Sequence, residues 1–137
     1  RQPSPKHIAE VASVVSDQVK CIFGGAGGKF IIDEMNRGAK GNMPACEFGD
    51  ILVKINNLWK NNETEAARSL HRKLLPLINL ENHPFMRYIL KRRGVFSNLI
   101  ERAPTGKLSL DESDRFEVSE LLKVITQELE SYPILPE

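Results

Sequence analysis

The chain has 137 residues, 19 of them Lys or Arg and 18 Asp or Glu, for a net charge of +1. Hydrophobic residues make up 41% and charged residues 27%, which excludes wholesale disorder. The near-neutral balance argues against a dedicated nucleic-acid binder, which carries a clear basic excess. No apolar run approaches the roughly 18 residues that cross a bilayer, so no membrane partner is expected.

The first residue is Arg, and the start, Arg1-Gln2-Pro3-Ser4-Pro5, has no apolar core of a signal peptide. The chain reads as processed, truncated or a piece of something longer. Cys21 and Cys46 are too few for a disulfide scaffold and lack zinc-ligand spacing. A reducing, cytoplasmic compartment is the expectation.

Ser4 and Pro5 open a first helix, with Ile8, Val11, Ala12 and Val15 spaced as one apolar face. Ser16-Asp17 break it. Val19 to Phe23 is a β-prone run that stops at Gly24-Gly25-Ala26-Gly27-Gly28. A second helix carries Phe30, Ile31 and Met35 and ends near Asn36-Arg37-Gly38. Ala39 to Met43 is a weaker strand, closed by Pro44. Strands separated by a helix-length stretch point to a parallel βαβ unit. Two strands make a poor sheet, so this first part is expected to belong to a larger one.

After Met43 the pattern turns helical. Phe48, Ile51, Leu52, Ile55, Leu58 and Trp59 mark one amphipathic helix, and Asn61-Asn62 turns the chain. Ala66, Ala67, Leu70 and Leu74 mark another, kinked or ended by Pro76. A third runs from Pro84 to Arg93, with Gly94 as a left-handed cap. Ser109-Leu110-Asp111-Glu112 reads as a capping box for a last helix bearing Phe116, Leu121, Leu122, Ile125 and Leu129. The expected division is 1–60 for the βα part and 61–137 for the helical part.

The glycine run Gly24 to Gly28-Lys29 follows a strand and opens a helix, where backbone N–H groups can meet an anion. A phosphate-binding P-loop needs four residues before its Gly-Lys and then Ser or Thr. Here three intervene and Phe30 follows. The dinucleotide-binding glycine spacing fails as well. Two readings stay open: a flexible turn, or a turn where backbone approaches a small anionic ligand. His7, His71 and His83 share no metal pattern, and His71, beside Arg72 and Lys73, is placed on a solvated face. Cys21 is read as a buried apolar filler, and Cys46 has no activating neighbour. Lys20 and Lys40 lie near the N-terminal ends of their strands, the wrong face for barrel chemistry, and Lys29 starts a helix, so none fits a Schiff-base nucleophile. Lys91-Arg92-Arg93 complement a helix dipole.

Gly24-Gly25-x-x-Gly28, then Arg37-Gly38-Ala39-x-Gly41-x-Met43-Pro44, resemble the seventh and eighth strand regions of the dihydrodipicolinate synthase / N-acetylneuraminate lyase family. Asn61-Asn62-Glu63, Ala66-Ala67, Leu74-Leu75-Pro76-Leu77, Leu90-x-x-x-Gly94 and Arg102-x-Pro104 are similar to its C-terminal helical region. The resemblance runs over essentially the whole chain, and its Arg37-Gly38-Ala39 and Met43-Pro44 form is most similar to the 2-keto-3-deoxy sugar-acid dehydratase side.

The resemblance implies an α/β fold: the C-terminal part of a TIM (β/α)8 barrel, its last two strands and their helices, followed by an all-helical extension. Such a barrel takes about 250 residues. The family's Schiff-base lysine ends the sixth strand and its catalytic tyrosine lies earlier, so this chain holds no catalytic residue, and Tyr88 and Tyr132 match neither role. The implied substrate is a pyruvate-like 2-keto acid, held through Gly24, Gly25 and Met43 mainly by backbone. Phe23-Gly24-Gly25-Ala26 replaces the Ser-Gly-Asp-like turn of aldolase members, and Arg87 stands where a Lys is frequent. No cofactor and no metal are implied. The expected partners are the missing N-terminal half of the barrel and further copies in a homo-oligomer. The alternative is a non-catalytic helical module for oligomerisation or binding.

Overall fold

The structure, a computed structural model, describes residues 4–15, 19–80, 83–102, 109–129 and 131–136. Pro3, the Ser16-Asp17 break and Pro104, and the side chains of Ser4 and His83, lie outside what is described. Two compact units divide the chain, Arg1–Arg72 and Lys73–Glu137. The described residues are mostly helical, with one small sheet.

In the first unit, α1 (Ser4–Val14) packs on β1 (Phe23–Gly24) and on α2 (Ile31–Asn36). Of its expected apolar face, Ile8 is buried, Val11 and Val15 are half-buried, and Ala12 is exposed. Next come β2 (Gly41–Asn42) and α3 (Gly49–Lys60). The two strands are parallel, with Phe23 opposite Gly41 and Gly24 opposite Asn42. Both are shorter than the runs at 19–23 and 39–43. Flanking bonds from Lys40 N to Ile22 O (2.9 Å) and from Met43 N to Gly24 O (3.0 Å) continue the pairing. Beyond them no third strand among the described residues supplies partners for the outer backbone groups.

Cys21 is exposed, not the buried filler expected. Side chains alternate along a strand. Cys21 therefore shares a face with Phe23, itself 52% exposed, while the opposite face at Gly24 is buried.

Helix α2 starts at Ile31, so Phe30 precedes it, and it ends on Gly38 at φ +101°. Gly38 N donates to Met35 O and Ala39 N to Glu34 O, the paired bonds of a Schellman cap. Phe48, Ile51, Leu52 and Ile55 fill the core beside α3 as the apolar period demands.

Helix α4 (Thr64–Asn79) buries Ala67, Leu70 and Leu74 and leaves Ala66 exposed. Pro76 neither ends it nor enters the core: the helix runs on for three residues, and Pro76 sits on the exposed side. There the carbonyl deprived of its partner can reach water.

In the second unit, α5 (His83–Arg92) ends on Gly94 at φ +71°, with Gly94 N to Lys91 O and Val95 N to Leu90 O, again a Schellman cap. Helix α6 (Glu112–Ile125) has a capping box, two residues later than expected: Asp111 Oδ1 accepts from Asp114 N (2.8 Å) and Asp114 Oδ2 from Asp111 N (3.1 Å). Asp111, not Ser109, takes the cap, with Asp114 reciprocating three residues on. The buried stripe is Val118, Leu122 and Ile125, with Phe116 exposed and Leu121 half-buried.

Arg92 and Arg93 do more than face a helix dipole. Arg93 is buried and donates to the carbonyls of Ser131 and Tyr132. Arg92 donates to Leu135 O, to Tyr88 Oη and to Ser119 Oγ. Together they strap the end of the chain to α5.

Candidate functional site

Because β1 and β2 run parallel, their C-terminal tips emerge side by side. Gly24-Gly25 follow one tip and Met43 the other. Met43 N donates to Gly24 O at 3.0 Å, which brings Gly24, Gly25 and Met43 to one place. Gly24 is buried, Gly25 half-buried, and the Met43 side chain 71% exposed.

Beyond Gly25 the chain makes a 3-10 turn over Ala26–Gly28, with φ of +52° at Ala26, +65° at Gly27 and +92° at Gly28. Gly28 N closes it on Gly25 O (3.2 Å) and Lys29 N on Ala26 O (3.0 Å). This left-handed backbone suits a glycine-rich segment, since only glycine adopts it freely.

Two side chains absent from the sequence reading hold this turn. Glu34, on α2, is 0% exposed. Its Oε1 accepts from Gly25 N (3.3 Å) and its Oε2 from Asn42 Nδ2 (2.7 Å). Asn42 Nδ2 also donates to Gly25 O (3.3 Å). The Asn42 Oδ1 atom is buried with no hydrogen-bond partner among the described residues. Gly24 belongs to the same cluster: a Cβ there would lie 1.9 Å from Glu34 Oε2 and 2.8 Å from Asn42 Nδ2. A Cβ at residue 24 would therefore force the carboxylate of residue 34 to shift.

The second clamp is His71. It is half-buried, not on a solvated face, and its Nε2 lies 3.1 Å from Gly28 O. The carbonyl accepts only, so Nε2 carries the proton. Burial holds the imidazole pKa below its ordinary 6.5, while hydrogen bonds to the Gly28 and Lys29 backbone oppose that shift.

The lysines stay outside this cluster. Lys20 and Lys40 are exposed and precede their strands, and Lys29 is half-buried at the end of the turn. Tyr88 is buried in the second unit, and Tyr132 is exposed. Arg87 pairs with Glu101 and donates to Ile100 O. Among the described residues, no group of three or more His, Cys, Asp or Glu is placed to hold a metal ion, and no helix is long and apolar enough to cross a membrane.

No family model and no curated protein matches the chain. Among solved structures it is similar to a dihydrodipicolinate synthase from Rhodopseudomonas palustris, with 32% identity and a TM-score of 0.78 over 89% of this chain and 42% of that one. The chain thus spans less than half the length of that protein. The likeness supports the dihydrodipicolinate synthase family resemblance carried by the glycine turn and the Arg37–Pro44 stretch.

Proposed function

We propose that these residues form the closing, C-terminal portion of a Schiff-base (class I) lyase acting on a pyruvate-like 2-keto acid, on the sugar-acid dehydratase side of the dihydrodipicolinate synthase family. The proposed arrangement is two final barrel strands within 1–60 and a helical extension over 61–137. The single observation that carries it is the meeting of two parallel strand tips at Gly24, Gly25 and Met43. A parallel barrel does its chemistry at that end of its strands, and here the tips present backbone rather than reactive side chains.

The imine-forming lysine and the tyrosine belong, on this reading, to the N-terminal part of the barrel. An imine draws electrons from the adjacent carbon, so the carbanion or enamine formed there is stabilised. Gly24, Gly25 and Met43 line the keto-acid pocket through backbone groups. No cofactor is required, the compartment is the cytoplasm, and the working form is a homo-oligomer. Two free, exposed thiols, Cys21 and Cys46, fit a reducing compartment.

Borohydride reduction in the presence of pyruvate tests the reading. Mass spectrometry should find no adduct on this chain alone. Mixed with a barrel half that bears the lysine strand, the adduct should form on that half. A reduced adduct on Lys20, Lys29 or Lys40 contradicts it. A second reading, a non-catalytic helical module for oligomerisation, draws on the exposed Val95, Phe96, Leu99 and Ile100 of the second unit. It predicts self-association that keto acid leaves unchanged, and no adduct in the mixture.

A further inference from the structure

We infer that Glu34 is a positioning residue: its buried carboxylate latches the tips of β1 and β2 together and sets the Gly24-Gly25 backbone that meets the keto acid. The inference rests on the proposed function and assigns that site a residue from outside its motifs.

A fully buried carboxylate is unfavourable unless hydrogen bonds replace its water. Glu34 finds these bonds on two different strands, Gly25 N after β1 and Asn42 Nδ2 at the end of β2. The bond from Asn42, at 2.7 Å, has the length of a charge-assisted one, and with the longer bond from Gly25 N it ties the two tips together. Core packing alone gives no reason for the charge. Ile31, one turn earlier on α2, and the adjacent Met35 are buried and apolar, and an apolar residue at 34 would avoid the desolvation of an ion. The contact also favours glycine at residue 24, where a Cβ would overlap the carboxylate as it stands and force it to shift.

Gly25 differs from Gly24 in having open space beside it. A Cβ at Gly25 would meet nothing within 4 Å among the described residues. Gly25 is thus open beside its Cα, while Glu34 accepts from its N–H and Asn42 donates to its C=O. A glycine braced through its own N–H and C=O, with no side chain and open space beside it, leaves room for a small molecule at the strand tips.

The test uses the assembled lyase, this chain together with the barrel half that bears the lysine. Borohydride trapping is followed against pyruvate concentration, giving a half-saturating concentration and a plateau. Glu34→Gln keeps the shape but loses one of the two acceptor bonds, and is expected to raise half-saturation roughly tenfold with the plateau within about twofold. Should Glu34→Gln fail to fold, Asn42→Ala releases the latch from the other strand and should shift half-saturation the same way. A drop in plateau with half-saturation unmoved in both variants marks a merely structural role and overturns the inference. An assembled wild type that traps no pyruvate overturns the proposed function itself, whatever the variants do.

Discussion

Residue 34 is a carboxylate at a position where the stripe Ile31, Met35 calls for an apolar group. His71 stands in the same relation to Ala67, Leu70 and Leu74, and Arg93 to Met86, Ile89 and Leu90. In each case a polar residue falls at the i+3, i+4 or i+7 place of a buried helix face, and in each case it is wholly or partly buried and bonded to a neighbouring segment. That interruption was the one signal in the sequence for these side chains. It stayed hidden for His71 because Arg72 and Lys73 suggested a solvated surface, and for Arg93 because basic residues at a helix end have a simpler explanation in the dipole. Asn42 carried no such mark, since a polar residue at a strand tip is ordinary.

The clash between residue 24 and Glu34 gives a prediction at this scale. Gly24→Ala should destabilise the first unit by about 2 kcal/mol, because the added methyl displaces a hydrogen-bonded carboxylate. In a Glu34→Ala background the same change should cost at least about 1 kcal/mol less, since its main obstacle is gone. Urea unfolding followed by the fluorescence of Trp59, the single tryptophan of the chain, reads both. Strict additivity of the two substitutions would show that they do not share a contact.

At the scale of elements, helices were easier to read than strands. The periodic runs of α3, α4 and α6 span several turns, and Gly38 and Gly94 stop their helices through the left-handed caps their backbone permits. The strands offered five residues each and gave two, because pairing depends on a neighbour that local sequence does not reveal. The cap of α6 lies two residues on for a related reason: Ser109 and Asp111 both offer a side-chain oxygen with an acidic residue three places on, Glu112 or Asp114, so the local pattern fits either register.

The bond from α4 to the glycine turn through His71 has a pH signature. The folded pKa lies below the ordinary 6.5, so the unfolded chain takes up a proton first as pH falls. Stability from this site is therefore level above about pH 7 and declines as pH drops through 6.5 toward the folded value. A His71→Gln variant, whose amide can still donate to Gly28 O, should lose that decline. Urea midpoints of both proteins between pH 5 and 8 supply the comparison, and an equal slope in the two would place the titration elsewhere.

For the molecule as a whole, the proposed function requires β1 and β2 to belong to a larger parallel sheet, completed by residues from outside this chain. Parallel sheets are stable when both faces are covered and several strands pair. Here Phe23 lies open on one face, and the strands have only each other among the described residues. Unpaired strand edges with apolar neighbours invite association. Sedimentation velocity of the 137-residue chain over a range of concentrations is the most direct test. The sedimentation coefficient should rise with concentration as the strand edges find partners. A compact monomer at every concentration, melting in one cooperative step, would contradict it.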